Sequence, residues 1–336
     1  MLTDRQEKIL KSIVEKYIKE PIPVGSKVIS KKINCSSATV RNEMGELERL
    51  GLLEKTHTSS GRVPSSAGYR YYVDNLMELK KMNGEDMLKL QRIFQNGQLA
   101  LSDVITKSLQ VISDITNYTT VILGSKSHEN LLKHVEVIPI DEENMTVIIV
   151  TDKGHVEHKN IRLKDVSLDE ISKTVSLINN LISGTPIDEI NEKLEFQIKP
   201  IIGNYVKQHE QLYNVFYQVF TDFTNQEVNV MGRHKMLDQP EFSSNIDKIK
   251  NVYTKLEDNE ILRNIEEDSD NNIKVYIGDE NNIDSDVTVI KTNYKKGNEE
   301  GTIAIIGPKR MQYDRVVGML EYMKENIERQ ASNEKK

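Results

Sequence analysis

The chain has few of the features that place a protein in a membrane or export it. Its 336 residues include one cysteine, Cys35, which excludes an internal disulfide and a zinc site built from several cysteines. The longest purely aliphatic runs are short, as in Val147–Val150, whereas a membrane helix needs about 20 apolar residues. The opening residues, Met1–Gln6, lack the apolar stretch of a secretory signal. We therefore expect a soluble, cytoplasmic protein without a membrane partner.

The sequence also lacks the motifs of common enzyme and cofactor sites. It contains no Walker motif, dinucleotide fingerprint or nucleophile elbow. His134, His155 and His158 come nearest to a metal site, but no cysteine or suitably spaced carboxylate completes the ligand set. The acidic segment Asp279–Asp286 lacks the glycine and the terminal glutamate of a calcium loop. We expect no catalytic residues, no metal and no cofactor.

Charge is distributed unevenly along the chain. Residues 1–75 contain 13 Lys and Arg against 9 Asp and Glu, whereas the whole chain contains 45 against 52. A basic segment on an acidic body is typical of a polyanion-binding module joined to another domain. The whole chain has 37% hydrophobic and 29% charged residues. The residues after 75 are therefore expected to fold into further soluble domains.

The basic segment has the pattern of a helix-turn-helix unit. A first amphipathic helix is predicted after the capping-box pair Thr3 and Gln6. Ser26 is the predicted cap of a short second helix, and Ser36 is the predicted cap of a third helix that runs through Leu50 and ends at Gly51. In such a unit the third helix places its first turns in the major groove of DNA. The segment is therefore predicted to bind double-stranded DNA.

Polar side chains at the start of the third helix are the predicted base readers. Arginine makes two hydrogen bonds to guanine and asparagine two to adenine, so Arg41 and Asn42 are the leading candidates. A β-hairpin wing follows, with strands at 52–55 and 63–65 and a polar tip suited to phosphates or the minor groove. The predicted DNA-binding residues are Lys27, Ser37, Thr39, Arg41, Asn42, His57, Thr58, Ser59, Ser60, Gly61 and Arg62.

Five segments of the chain carry a resemblance to a known family. They are SSATVRNEM at 36–44, LGLLEK at 50–55, HTSSGRVP at 57–64, GYRYYVD at 68–74 and GTIAIIGPKRM at 301–311. In this order they resemble the heat-inducible transcription repressor family HrcA. One departure is Gly45, where alanine is expected from the resemblance. Glycine at this helical position costs roughly 1 kcal/mol of helix propensity.

The resemblance implies an α+β multidomain fold. It consists of an N-terminal winged helix-turn-helix and a GAF-like α+β domain with an inserted dimerisation module of a three-stranded antiparallel sheet and helices. The order of predicted elements is similar to this plan once residues 132–225 are removed. The expected boundaries are 1–75 for the winged helix, 76–98 for a helical connector, 99–131 and 226–330 for the GAF-like domain, 132–225 for the insert and 331–336 for a disordered tail.

The resemblance also implies a function. It indicates a repressor of class I heat-shock chaperone operons that binds the CIRCE inverted repeat and is kept active by the GroE chaperonin. A homodimer suits an inverted repeat, because a two-fold axis places one recognition helix on each half-site. An apolar stripe in the insert is predicted as the dimer interface, with an internal core as the alternative, and its residues are Leu212, Phe216 and Phe220.

Two other functions stay open on the sequence alone. The GAF-like domain could sense a small molecule, which would make the chain a ligand-responsive winged-helix regulator. The N-terminal fold could instead bind a protein partner, as an adaptor. Salt-dependent binding to DNA separates the adaptor from both regulators.

Overall fold

The computed structural model describes most of the chain, namely residues 2–56, 61–79, 82–96, 101–123, 130–152, 154, 156–204, 206, 209–226, 228–243, 245–266, 272–296 and 299–333. It divides into two compact units. The first unit contains residues 1–121, 230–294 and 303–336, and the second contains residues 122–229 and 295–302. The second unit thus interrupts the first along the sequence, and the predicted insert, 132–225, lies within it.

The N-terminal part of the first unit is a winged helix-turn-helix. Its elements in chain order are α1 (Asp4–Lys19), α2 (Ser26–Ile33), α3 (Ser37–Arg49), β1 (Leu53–Lys55), β2 (Arg62–Pro64) and α4 (Ser66–Tyr71), which continues as a π-helical turn over Tyr72–Leu76. Strands β1 and β2 pair antiparallel. Apolar side chains of the three helices form the core, including Ile9, Leu10, Ile13, Val40, Met44 and Leu47.

Local sequence signals set the ends of these helices. Thr3 and Gln6 form the predicted capping box at the start of α1, and the Ser36 hydroxyl accepts a hydrogen bond from Thr39 N (3.0 Å) at the start of α3. Gly51 follows α3 with a φ of +75°, which glycine adopts without the steric cost of a Cβ. The predicted cap of α2 is wrong: Gly25 occupies the N-cap position, and Ser26 is the first helical residue.

The rest of the chain forms two further sheets and the helices around them. In chain order the elements are α5 (Gly84–Phe94), α6 (Leu101–Thr116), β3 (Thr119–Leu123), β4 (Leu132–Pro139), β5 (Asn144–Thr151), β6 (Val156–Arg162), α7 (Leu168–Ile182), α8 (Ile190–Lys193), α9 (Lys199–Ile202), α10 (His209–Gln226), β7 (Val228–Met231), α11 (Pro240–Ser243), α12 (Ile246–Glu257), α13 (Asn259–Arg263), β8 (Lys274–Ile277), β9 (Val287–Lys296), β10 (Glu299–Pro308) and α14 (Tyr313–Asn333). The strand orders are β7-β3-β10-β9-β8 and β4-β5-β6.

One predicted element, the disordered tail at 331–336, differs from the structure. The closing helix α14 continues to Asn333, so the first part of the predicted disordered tail is helical, while residues 334–336 lie outside the described chain. No helix within the described ranges is both long and apolar enough to cross a membrane.

The predicted dimer-interface residues lie inside the second unit. Leu212, Phe216 and Phe220 on α10 are almost completely buried, in one apolar cluster with the inner face of β4, β5 and β6. Burying a Leu or Phe side chain contributes about 1.5–3 kcal/mol, so these residues stabilise the unit itself. The prediction that their side chains form the surface of a dimer is therefore wrong, and the alternative of an internal core is correct for these three residues.

Candidate nucleic-acid interface

The exposed face of α3 carries the two predicted base readers. Ala38, Arg41, Asn42 and Gly45 are exposed on this helix, while Val40, Met44 and Leu47 are buried beneath it. Within the described part of the chain, the side chains of Arg41 and Asn42 make no hydrogen bond or ion pair. Their polar groups are therefore available to an external partner such as the edge of a base pair.

The other predicted contacts on α2 and α3 have mixed environments. The Lys27 side chain is exposed. The Ser37 hydroxyl lies 3.0 Å from the Ser26 hydroxyl, and the Thr39 hydroxyl lies 2.8 Å from that of Ser36. A hydroxyl has one donor and two acceptor positions, so these bonds order the start of α3 without using the full capacity of either group. Contact of these residues with DNA stays a prediction.

The acidic residues of α3 are all paired with other side chains. Glu43 accepts hydrogen bonds from Arg5 (3.5 Å) and Gln6 (3.1 Å) on α1. Glu46 pairs with Arg49 at 2.7 Å, and the Glu48 carboxylate is bound by an arginine of the wing. The pairing offsets negative charge that would otherwise repel phosphates near the exposed face.

The structure locates only part of the predicted wing contacts. His57, Thr58, Ser59 and Ser60 lie outside the described residues. Gly61 is buried at the base of the wing, where a Cβ would come within 2.7 Å of the Pro23 carbonyl carbon. Gly61 therefore lies at the base of the hairpin and not at its tip.

Arg62 occupies a different position from the one predicted. It opens β2, and its Nε and Nη2 atoms lie 2.7 Å from Glu48 Oε2, while Nη1 donates to Gly61 O at 3.2 Å. Its backbone pairs with Val24 through hydrogen bonds of 2.8 and 3.0 Å. Arg62 thus joins the wing to the recognition helix and to the segment before α2.

Sequence reasoning missed Glu48 and the short Val24 bridge. A usable signal for Glu48 existed, because it follows the inward-facing Leu47, and a partly covered carboxylate there needs a cationic partner. Val24 lies between two residues of a proline-rich loop and carries no strand pattern of its own. Its pairing is visible only in three dimensions.

The GYRYY and GPKRM motifs, far apart in sequence, meet within the first unit. The rings of Tyr69 and Tyr313 have centroids 5.9 Å apart. Arg70 on α4 donates to Val275 O and to Glu280. Lys309 lies 3.4 Å from the Ser66 hydroxyl and 2.9 Å from an Asp286 oxygen. We call the contacts of Ser66, Tyr69 and Arg70 with Glu280, Lys309 and Tyr313 the motif joint.

The motif joint contains both apolar and charged contacts. Burial raises the pKa of Tyr69 and of Tyr313 well above the ordinary tyrosine value, so both phenols are neutral at physiological pH. Burial alone would raise the pKa of Glu280, but hydrogen bonds from Arg70 and from Ile277 N hold it below its ordinary value. Glu280 is therefore a carboxylate, and its pairing with Arg70 is an ion pair.

A cavity of about 270 Å³ lies beside this joint in the first unit. Its lining includes Tyr276, Glu280 and the buried Lys291, whose ammonium lies 5.1 Å from the centre of the Tyr276 ring and donates to Ile265 O. A small-molecule site in this part of the chain stays a prediction. Among the described residues there is no group of three His, Cys, Asp or Glu side chains that could hold a metal ion.

Comparison with known proteins covers both regions of the chain. Residues 1–77 match the family described as winged helix-turn-helix transcription repressor, HrcA DNA-binding, and residues 102–317 match the HrcA protein C-terminal domain. The chain is 36% identical over 340 aligned residues to the heat-inducible transcription repressor HrcA of Bacillus pumilus (strain SAFR-032), with 99% of each chain covered.

A solved structure shares the fold. The crystal structure of a hypothetical protein superposes with a TM-score of 0.66 and 24% sequence identity, covering 97% of this chain and 98% of the other. Together with the two family matches, this similarity confirms the multidomain α+β fold expected from the sequence. The chain belongs to the HrcA family of heat-inducible transcription repressors.

Proposed function

We propose that this chain represses heat-shock chaperone operons by binding a CIRCE-type inverted repeat as a homodimer. The observation that carries the proposal is the pair Arg41 and Asn42, exposed and without partners in the described chain, on the outer face of a capped recognition helix. These side chains match guanine and adenine in the major groove. Membership of a repressor family supports the same assignment.

The contacts with DNA divide by chemistry. Arg41 and Asn42 read base edges, while Lys27, Ser37 and Thr39 contact phosphates and set the position of the helix. The wing residues His57, Thr58, Ser59 and Ser60 reach the backbone or the minor groove. Contacts to phosphates make the affinity fall with salt, and contacts to bases make it depend on sequence.

The dimer forms through the second unit, on a surface other than the buried stripe. The register pairs Val150 with Val156, and Ile148 with Glu136 and His158, on the outer face of the β4-β5-β6 sheet. Val156 is 58% exposed and Ile138 on the same face is 45% exposed. Apolar side chains brought together on one open sheet face are typical of a protein contact surface, and the two-fold symmetry of the operator calls for a second copy of this chain.

The GroE chaperonin sets the amount of active repressor. Free chaperonin helps the chain to reach its DNA-binding fold, and unfolded proteins after heat shock divert the chaperonin and release the operons. A chain of marginal stability suffices, because about 1–2 kcal/mol changes the active fraction several-fold. Gly45, a glycine in the recognition helix, is consistent with low local stability.

Fluorescence anisotropy tests the DNA-binding part of the proposal. The full-length chain is titrated onto a labelled CIRCE duplex and onto a scrambled duplex, across a series of salt concentrations, with and without chaperonin. We expect tight binding to the inverted repeat only, and a larger active fraction with chaperonin. Equal, weak and salt-sensitive binding to both duplexes would contradict sequence-specific repression.

Light scattering tests the dimer surface. Val156→Asp places a charge on the exposed sheet face and should give the mass of a monomer. Phe196→Asp is the matched control, because Phe196 is 72% exposed in the same unit but is not on this sheet. A dimer that survives Val156→Asp and dissociates with Phe196→Asp would show that the interface lies on the surface that carries Phe196.

A further inference from the structure

The guanidinium of Arg62 is held by the recognition helix. Two of its nitrogens lie 2.7 Å from one oxygen of Glu48, and a third donates to Gly61 O. The Arg62 side chain is 18% exposed and that of Glu48 is 35% exposed, so the pair is largely shielded from water. Charge-assisted hydrogen bonds in such a setting are short and directional.

The backbone on both sides of this pair is also restrained. Arg62 exchanges two hydrogen bonds with Val24, and Gly61 packs against Pro23 with no room for a Cβ. Arg62, the first residue of β2, is therefore joined to two other segments, namely the loop before α2 and the C-terminal half of α3. The wing residues 57–60 directly precede this point in the chain.

We propose that Glu48 and Arg62 are positioning residues that hold the wing at a set distance from the recognition helix. Arg62 then acts on DNA through the placement of the wing and makes no phosphate contact of its own. The proposal rests on the proposed function, in which helix and wing bind one duplex together. It also replaces the direct contact expected for Arg62 from the sequence.

The two roles of Arg62 predict opposite signs for one substitution. If Arg62 contacted a phosphate, Glu48→Gln would free its positive charge and tighten binding to any DNA. If the pair positions the wing, the same substitution loosens the wing and weakens binding to the operator. Loss of a direct phosphate contact would also reduce the slope of log K against log salt by about 0.9, and loss of a positioning pair would leave that slope unchanged.

Anisotropy titrations on the full-length chain decide between them. Glu48→Gln and Arg62→Gln should each weaken operator binding about tenfold, the scale of one charge-assisted hydrogen bond, with an unchanged salt slope. The double variant Glu48→Arg with Arg62→Glu should recover most of the lost affinity, because it restores the pair with reversed charges. Tighter binding by Glu48→Gln, or a smaller salt slope for Arg62→Gln, would overturn the proposal.

A neighbouring ion pair supplies the matched control. Glu46 and Arg49 form an ion pair at 2.7 Å within α3, and both side chains are well exposed. Glu46→Gln removes the same charge from α3, so a similar loss of affinity in this variant would contradict a specific role for Glu48. We expect its operator affinity to stay close to that of the unmodified chain.

Hydrogen exchange without DNA keeps the test separate from the proposed function. Amides of residues 61–63 should exchange faster in Glu48→Gln than in Glu46→Gln, because the restraint on the wing base is lost. Absence of operator binding by the unmodified chain would contradict the proposed function, while this measurement would still decide whether the pair holds the wing. Equal exchange in the two variants would overturn the positioning role.

Discussion

Tyr69 and Tyr313 pack against each other with ring centroids 5.9 Å apart. Beside them, Lys309 contacts the Ser66 hydroxyl across a sequence separation of 243 residues. Both rings are buried, and an aromatic pair of this kind contributes about 0.5–1.5 kcal/mol beyond the area that it buries. The contact joins the helix after the wing to the start of α14. The GYRYY motif and the segment just after GPKRM therefore meet in one joint, and Lys309 of GPKRM takes part in it through Ser66.

The ion pair of the motif joint should show coupling between its two residues. Arg70→Ala and Glu280→Ala are each expected to lower the melting temperature, and the double variant should lose less than the sum. We expect a coupling of about 1 kcal/mol, because both side chains are partly exposed and the solvent screens them. Thermal denaturation of the four proteins measures it, with the exposed pair Glu85 and Lys89 as the control cycle. Strictly additive losses at Arg70 and Glu280 would show that the pair is not coupled.

Gly68, the first residue of the GYRYY motif, has no space for a side chain. A Cβ at this position would overlap the carbonyl oxygen of Leu52, which precedes β1. Gly68→Ala should therefore destabilise the winged helix by about 2 kcal/mol, the usual cost of an overpacked site. Gly84→Ala, where the structure leaves open space around the new Cβ, is the control and should keep the melting temperature. Equal melting temperatures for both variants would contradict the tight approach.

Alanine at Gly45, unlike alanine at Gly68, is expected to stabilise the fold. It is exposed in the middle of α3, and nothing lies within 4 Å of a Cβ built on it. Gly45→Ala should stabilise the helix by about 1 kcal/mol, because alanine loses less backbone entropy on folding. A higher melting temperature and a smaller dependence of operator binding on chaperonin are the expected results. An unchanged chaperonin dependence at a higher melting temperature would separate local helix stability from the need for chaperonin.

Asp286 should make the stability of the first unit depend on pH. Burial alone would raise the pKa of Asp286, but hydrogen bonds from Lys248 and Lys309 and the positive charges of these lysines lower it by more. The folded-state pKa therefore lies below the ordinary value. A depressed carboxylate pKa stabilises the fold fully above the unfolded-state pKa of about 3.9, and this contribution is lost as the pH falls through the folded-state value. Asp286→Asn removes the contribution at every pH.

Melting temperatures between pH 7 and pH 3 test this sign. The melting temperature of the unmodified chain should exceed that of Asp286→Asn at pH 7, and the difference should narrow towards pH 3. Asp279→Asn serves as the control, because Asp279 shows no comparable pair of lysines among the described contacts. A difference between the chains that grows towards low pH would show that the folded-state pKa of Asp286 lies above its unfolded-state value.

Local signals predicted the winged helix closely. The capping box at Thr3, the cap at Ser36 and the glycine after α3 are short-range features, because each involves residues within one turn of a helix. The strands β1 and β2 follow from the polar segment that separates two short apolar runs. The exposure of Arg41 and Asn42 follows from helical periodicity once the buried face is known.

Long-range contacts could not be predicted in the same way. An amphipathic stripe such as Leu212, Phe216 and Phe220 shows that a helix face is covered, but it does not show whether the same chain or a second copy covers it. Arg62 is ambiguous for a related reason, since a guanidinium that suits phosphate equally suits a carboxylate. In both cases the partner lies on another element, and its position depends on the tertiary fold.

The separation of base reading from phosphate contact leads to a prediction for α3. Arg41→Ala should weaken operator binding by about 1–3 kcal/mol and relax the preference at one base pair, because a two-bond contact to guanine is lost. Lys27→Ala should weaken binding to the operator and to the scrambled duplex alike and reduce the salt slope by about 0.9.

Arg49→Ala is the control, since this residue is also an exposed arginine of α3 but lies at the opposite end from the N-terminal turns. Competition titrations with single-base operator variants measure all three. If Arg41→Ala weakened the operator and the scrambled duplex equally, Arg41 would be a phosphate contact, and the reading of the bases would depend on Asn42 and the wing.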